Sequence, residues 1–218
     1  MQDNMQGTHA PGTLDTAALR GKLTTRMWWA GSRNTVIYAL MAFGVPPLGA
    51  AANRAGMSWI FIIGGPMILV GIFGLLATLK TIPVAVLLTR TCRRTLAQYS
   101  FDTFCPRITK ADGAEATKGR PKSMTLTLHT AEGQESPLMR MIPVPRSASW
   151  RNPWPEGIEN GVYVAGDLPF GAVGYVPSSG TFFLMQPDDW DATAQDRKLA
   201  TPDRVTRAQD ADINRRIF

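Results

Sequence analysis

Two long apolar stretches dominate the pattern of hydrophobic and polar positions, 35–52 and 58–79, parted by Asn53-Arg54-Ala55-Gly56-Met57. Neither carries a charge in its interior, and charges resume at Arg33, Arg54 and Lys80. A helix rises about 1.5 Å per residue, so about 20 apolar residues match a hydrocarbon layer roughly 30 Å thick. A soluble helix is usually apolar on one face, whereas these stretches are apolar all round. The pattern predicts a two-helix transmembrane hairpin over 34–90; two core helices of a globular domain are the alternative. Pro46-Pro47 predicts a kink in the first span, because proline supplies no N–H and crowds the preceding turn. Apolar character continues through 81–88. That continuation predicts an extension lying at the interface as far as residue 90, bent at Pro83, with Lys80 snorkelling to the headgroups.

In the second span Gly64, Gly71 and Thr78 recur every seven residues, with Gly74 close to the same side. Such a strip is a candidate helix-packing face, since small residues let helix backbones approach closely in lipid. Its occupant is either the first span, where Ala39 and Ala42 are also small, or a second copy of the chain.

Ahead of the spans, 1–12 has no apolar periodicity and reads as disordered. Residues 13–33 predict an interfacial helix capped by Thr13 or Asp15, with Leu19, Leu23, Met27 and Ala30 recurring at helical spacing. Trp28 and Trp29 suit the headgroup region.

Beyond Arg94 the chain turns to short β-branched and aromatic runs punctuated by Gly, Pro, Asn and Asp. Strands are predicted at 96–104, 123–130, 138–144, 161–166, 172–176 and 181–186. In 123–129, Met124, Leu126 and Leu128 alternate with Thr125, Thr127 and His129, so one face is expected to meet solvent. Pro177-Ser178-Ser179-Gly180 closes a hairpin, and 110–122 reads as a loop. The fold class expected is therefore an α+β membrane protein: a transmembrane hairpin followed, over 91–187, by a small antiparallel β-barrel or β-sandwich. A polar tail, 188–218, follows, with a marginal helix from Pro202.

Charge sets the orientation. The formal net charge is +6, and basic residues crowd the outer flanks of the spans: Arg20, Lys22, Arg26 and Arg33 before, Lys80, Arg90, Arg93 and Arg94 after. The connecting loop has Arg54 alone. Basic flanks stay on the cytoplasmic side, which predicts a multi-pass cell-membrane protein with both termini cytoplasmic. Lys80, Arg90, Arg93 and Arg94 are candidate contacts to anionic headgroups. No interleaving of basic and aromatic residues points to nucleic acid.

Candidate chemistry is sparse. His9 and His129 are the histidines, Cys92 and Cys105 the cysteines, and no metal-ligand spacing joins them. Phosphate loops, nucleophile elbows and charges within the spans are missing, so no catalytic, metal or cofactor residue is assigned. Asp188, Asp189 and Asp191 read as a solvated turn, and Asp167 as a turn organiser accepting backbone N–H groups. Trp150-Arg151-Asn152-Pro153-Trp154 supports two readings: indoles covering one end of the barrel, or a partner surface formed by Trp150, Arg151 and Trp154.

The run Val162-Tyr163-Val164-Ala165-Gly166-Asp167-Leu168-Pro169-Phe170-Gly171 resembles a stretch of uncharacterised actinobacterial two-span membrane proteins with a small C-terminal β domain, over Gly161 to Pro187. That resemblance implies a bacterial membrane setting and no activity. The architecture, without a shared motif, is similar to that of NfeD-like membrane proteins, whose soluble part is an OB barrel. The leading functional expectation is a non-catalytic adaptor or scaffold that presents its β domain to a protein partner at the membrane. An oligomeric transport or channel component and a membrane-tethered enzyme are the alternatives.

Overall fold

A computed structural model describes residues 14–56, 60–111, 124–144 and 154–217. Helix α1, Thr16–Ala39, begins at Asp15, whose carboxylate accepts from the amides of Ala17 and Ala18 at 2.9 and 3.1 Å. This satisfies two donors that a helix N-terminus leaves open. The arm passes through a π-helical turn, Leu40–Gly44, into α2, Val45–Arg54. Where a kink was expected, the helix has this wider turn ahead of Pro46-Pro47, whose rings crowd the carbonyls four residues back. Helix α3, Ile60–Gln98, returns antiparallel and runs unbroken through Pro66 and Pro83.

The two arms keep one register along their length. Gly64 faces Val45, Gly71 faces Met41 and Ala42, and Gly74 faces Tyr38. Toward the base, Leu19 and Leu23 of α1 join Leu88, Cys92 and Leu96 of α3 in a common core. The same offset sets Arg33 level with Lys80.

Seven antiparallel strands follow: β1 Thr103–Cys105, β2 Arg107–Lys110, β3 Met124–His129, β4 Met139–Val144, β5 Val162–Asp167, β6 Gly171–Val176 and β7 Thr181–Pro187. Their order is β1-β5-β6-β7-β4-β3-β2. β1 and β2 stand at opposite ends of that order yet are separated in sequence by Pro106 alone, a residue that donates no ladder bond. One bent segment thus pairs with β5 on one half and β3 on the other, and the sheet curls into a near-closed barrel. This is the barrel form of the expected domain rather than a sandwich.

β4, β6 and β7 are buried on both faces. Phe183, Met185, Met139 and Leu126 fill the barrel interior. The outward face, Phe182, Leu184, Val173, Ile142 and Val144, packs beneath the base of the helical hairpin. Each large apolar side chain so buried is worth about 2 kcal/mol. Barrel and hairpin base therefore share a core, and Phe101 N–H donates to Thr16 Oγ1 at 3.3 Å where the arms meet the sheet.

Several expectations shift. The segment 13–33 is not a separate helix, because α1 continues to Ala39 and its Leu19 and Leu23 enter the protein core. The strand expected at 96–104 begins at Thr103, since Leu96 completes the buried stripe of α3. β2 adds a strand where none was expected; its side chains are mostly exposed and show no apolar alternation. The other face of β3 is not fully solvated: Thr125 is buried and its hydroxyl donates to Ala111 O at 3.1 Å. Finally, the tail folds onto the barrel through α4, Ala194–Lys198, and α5, Pro202–Asp210. Ala208, Ala211 and Ile213 pack with Phe170.

Candidate functional site

Among the described residues, one helical stretch, Gly64–Gln98, is long and apolar enough to cross a membrane, with a mean hydropathy of 2.0 over its most apolar window and 6% of that window buried. Phe73 is 68% exposed and Leu79 63%. The first arm contributes a shorter apolar stretch, Thr35–Ala51, where Phe43 and Leu48 are also exposed. The two-span hairpin of the sequence reading is thus matched by length in one arm. Gly44, Pro46, Pro47 and Gly49 lower the apolar content of the other.

The small-residue strip faces the first arm. A Cβ on Gly71 would lie 2.5 Å from the Ala42 amide nitrogen, one on Gly64 3.3 Å from Val45 Cγ1, and one on Gly74 would enter the Tyr38 ring. Thr78 turns its hydroxyl back to the Gly74 carbonyl at 2.7 Å.

Among the basic candidates, Lys80, Arg90 and Arg93 are exposed along α3. Arg94 instead pairs with Asp212 at 3.4 Å. Asp212 has φ 60°, the left-handed conformation that a non-glycine residue takes at a cost. It does so because it ends α5: Ile213 N–H reaches Ala208 O at 3.0 Å and Asp212 N–H reaches Gln209 O at 2.9 Å. That is a Schellman closure with aspartate where glycine is usual. Its carboxylate also takes Arg215 at 3.0 Å. Below lies a cleft of about 240 Å³ lined by Leu87, Thr91, Asp212, Arg215, Arg216 and Ile217. Gln186, fully buried on β7, holds this end of the chain: its amide donates to Phe170 O, Ile213 O and Arg215 O, and its carbonyl accepts from Ile217 N–H. Sequence reading missed Asp212, Arg215, Arg216 and Gln186. The helix-start signal at Pro202 pointed toward them, but nothing local in the sequence says where the tail docks.

At the barrel's far end, Trp154 is half-buried against the interior and Pro155 is buried. Ile158, in a short 3₁₀ turn, plugs that end, and Gly157 at φ 74° lies so close to Ser178 that a Cβ would overlap its hydroxyl. Trp150 and Arg151 lie outside the described residues. Asp167 acts differently from expectation: its main-chain carbonyl takes Phe170 N–H at 2.8 Å, while its carboxylate grips Arg204 of α5 through bonds of 2.9 and 2.7 Å. Asp188 pairs with Arg140 at 2.6 Å, and Asp189 caps the turn through Asp191 and Ala192. These acids anchor the tail.

Burial holds both thiols well above their usual range, Cys105 at about 11. Burial, with the Asp167 charge assisting, raises Tyr99 despite the arginines beside it. Among the described residues, no group of three or more His, Cys, Asp or Glu is placed to hold a metal.

The fold defines a class: an α+β protein in which an antiparallel helical hairpin with an exposed apolar shaft is fused at its base to a filled, near-closed β-barrel. No family model matches the chain, and no curated protein and no solved structure is detectably similar to it.

Proposed function

We propose that the chain is a bilayer-anchored, non-catalytic scaffold in which the helical hairpin, 35–79, is embedded and the barrel stands at the cytoplasmic face to hold a protein partner. The observation that carries this reading is the unburied apolar shaft of α3. Side chains such as Ile62, Phe73 and Leu79 would expose a large contiguous apolar surface to water, which soluble monomers avoid. From Ile60 to Lys80 the helix spans about 30 Å, the thickness of the hydrocarbon layer. The opposing arm reaches the same level at Arg33, so charges bracket the apolar zone on both arms.

Basic residues concentrated at the base favour a cytoplasmic barrel. A bacterial membrane setting agrees with the resemblance over Gly161 to Pro187. The scaffold role is supported by the engagement of side chains in structure: Asp167 with Arg204 and Asp188 with Arg140 hold α5 and the start of the tail.

The test is cysteine labelling in intact cells with a membrane-impermeant maleimide, placing cysteines at Ala55 in the connecting turn and Glu132 in the β3–β4 turn. Ala55→Cys is expected to label without permeabilisation and Glu132→Cys only after it, against a parent whose buried Cys92 and Cys105 stay silent. Equal labelling of both, or release of the protein by alkaline carbonate, would overturn the reading.

A further inference from the structure

We propose that the cleft between α3 and the chain's end binds the phosphate of an anionic phospholipid from the cytoplasmic leaflet. The inference rests on the membrane reading above and names a site within it. Three observations converge on the cleft.

Its walls are amphipathic in the order a lipid presents. Leu87 is 44% exposed, and Val84, one turn nearer the span and also exposed, continues its apolar side toward the bilayer. Beyond Leu87 the cleft turns cationic, with Arg215 and Arg216 on the tail and Arg94 beside them on α3, and Asp212 as the carboxylate among the described lining residues. Arg90, one helical turn before Arg94, adds charge at the rim.

The arrangement is also held at a cost. Asp212 adopts its left-handed backbone although glycine would close α5 without strain. What aspartate supplies there is a carboxylate that draws Arg94 and Arg215 together from two elements. Guanidinium groups gathered in this way match phosphate oxygens through paired donors.

The third observation is position. Leu87 lies seven residues past Lys80, about 10 Å along the helix, which sets the cleft a few ångströms inside the cytoplasmic edge of the headgroup layer, within reach of arginine side chains that extend back toward it. The main chain under the cleft is fixed independently, because Gln186 holds the carbonyl of Arg215 at 2.8 Å and the amide of Ile217 at 2.9 Å. Side-chain substitutions at 215 and 216 therefore leave that anchor in place.

The experiment uses the full chain reconstituted in vesicles of phosphatidylcholine and phosphatidylglycerol, re-extracted in mild detergent, with retained phosphatidylglycerol counted by mass spectrometry. Arg215→Gln with Arg216→Gln is expected to lower retention about 30-fold, equivalent to about 1 kcal/mol for each cation lost. Arg93→Gln, pointing elsewhere on α3, and Arg54→Gln, at the hairpin's other end, should retain the lipid. An unaltered melting transition identifies variants that fold; Arg90→Gln, fully on the helix exterior, provides a second, milder loss. Retention undiminished in the double variant overturns the proposal, as does an equal loss in Arg93→Gln, which would mean diffuse charge rather than a cleft. Displacement of the lipid by inorganic phosphate would reassign the site to a free phosphate. Carbonate extraction is scored separately: a protein that resists it yet fails the retention test leaves the membrane reading standing and removes the cleft.

Discussion

At the residue level, close approach and burial govern the most telling positions. Gly71 has the Ala42 main chain where a side chain would start, so Gly71→Leu must part the arms. Overpacking of this kind costs about 3 kcal/mol. A lowered melting temperature in mild detergent is expected, with no change in the mass of the protein–detergent particle; a fall in mass would mean that the strip joins copies instead. Cys105 makes a pH prediction. Its thiol ionises near 9.0 when unfolded and about 11 when folded, because burial penalises the thiolate. The unfolded chain therefore loses its proton first as pH rises, and stability present below about pH 9 declines toward pH 11. Cys105→Ala should flatten part of that decline, measured as the urea midpoint against pH.

At the level of elements, the tail is the instructive case. Its helix α5 carries few apolar residues, and local reasoning therefore makes it marginal; its stability comes from Ala208, Ala211 and Ile213 meeting Phe170 and from the Asp167–Arg204 pair. Gln186→Leu would strip several main-chain groups of their partner at once. We expect a loss of about 3 kcal/mol and new proteolytic cleavage beyond Ile213, with the barrel intact. These contacts join residues far apart in sequence, which is why the tail's docking was invisible to pattern reading. By contrast, α1's cap at Asp15, the Leu19–Leu23 stripe, the Pro177–Gly180 hairpin and five of the strands were legible, because spacing and turn residues encode them locally. β2 escaped notice since its mostly exposed side chains carry no pattern of their own and its place in the sheet comes from pairing with β3 as the barrel closes. The cleft's arginines were partly legible: Arg94 lay in a basic flank, but its partner Asp212 sits 118 residues away.

For the whole molecule, the shared core of hairpin base and barrel predicts one cooperative unit rather than two domains on a linker. Leu23→Ala, in a fully buried position on α1, should cost about 3 kcal/mol and lower the melting temperature of the barrel signal and the helical signal together. Separate transitions for the two signals would contradict a common core.

Helix α3 passes without interruption from the apolar shaft to the sheet, and α1 stays zipped to it in one register. The two arms thus make a double shaft with no swivel. A single helix of this length could twist about its axis, but two that are interlocked by Gly71 and Gly74 cannot turn independently. A partner held by the barrel, as proposed above, would stand at a set height and a set compass bearing relative to the arms. Torque applied to the barrel would be shared by both arms rather than absorbed by one helix turning about its own axis.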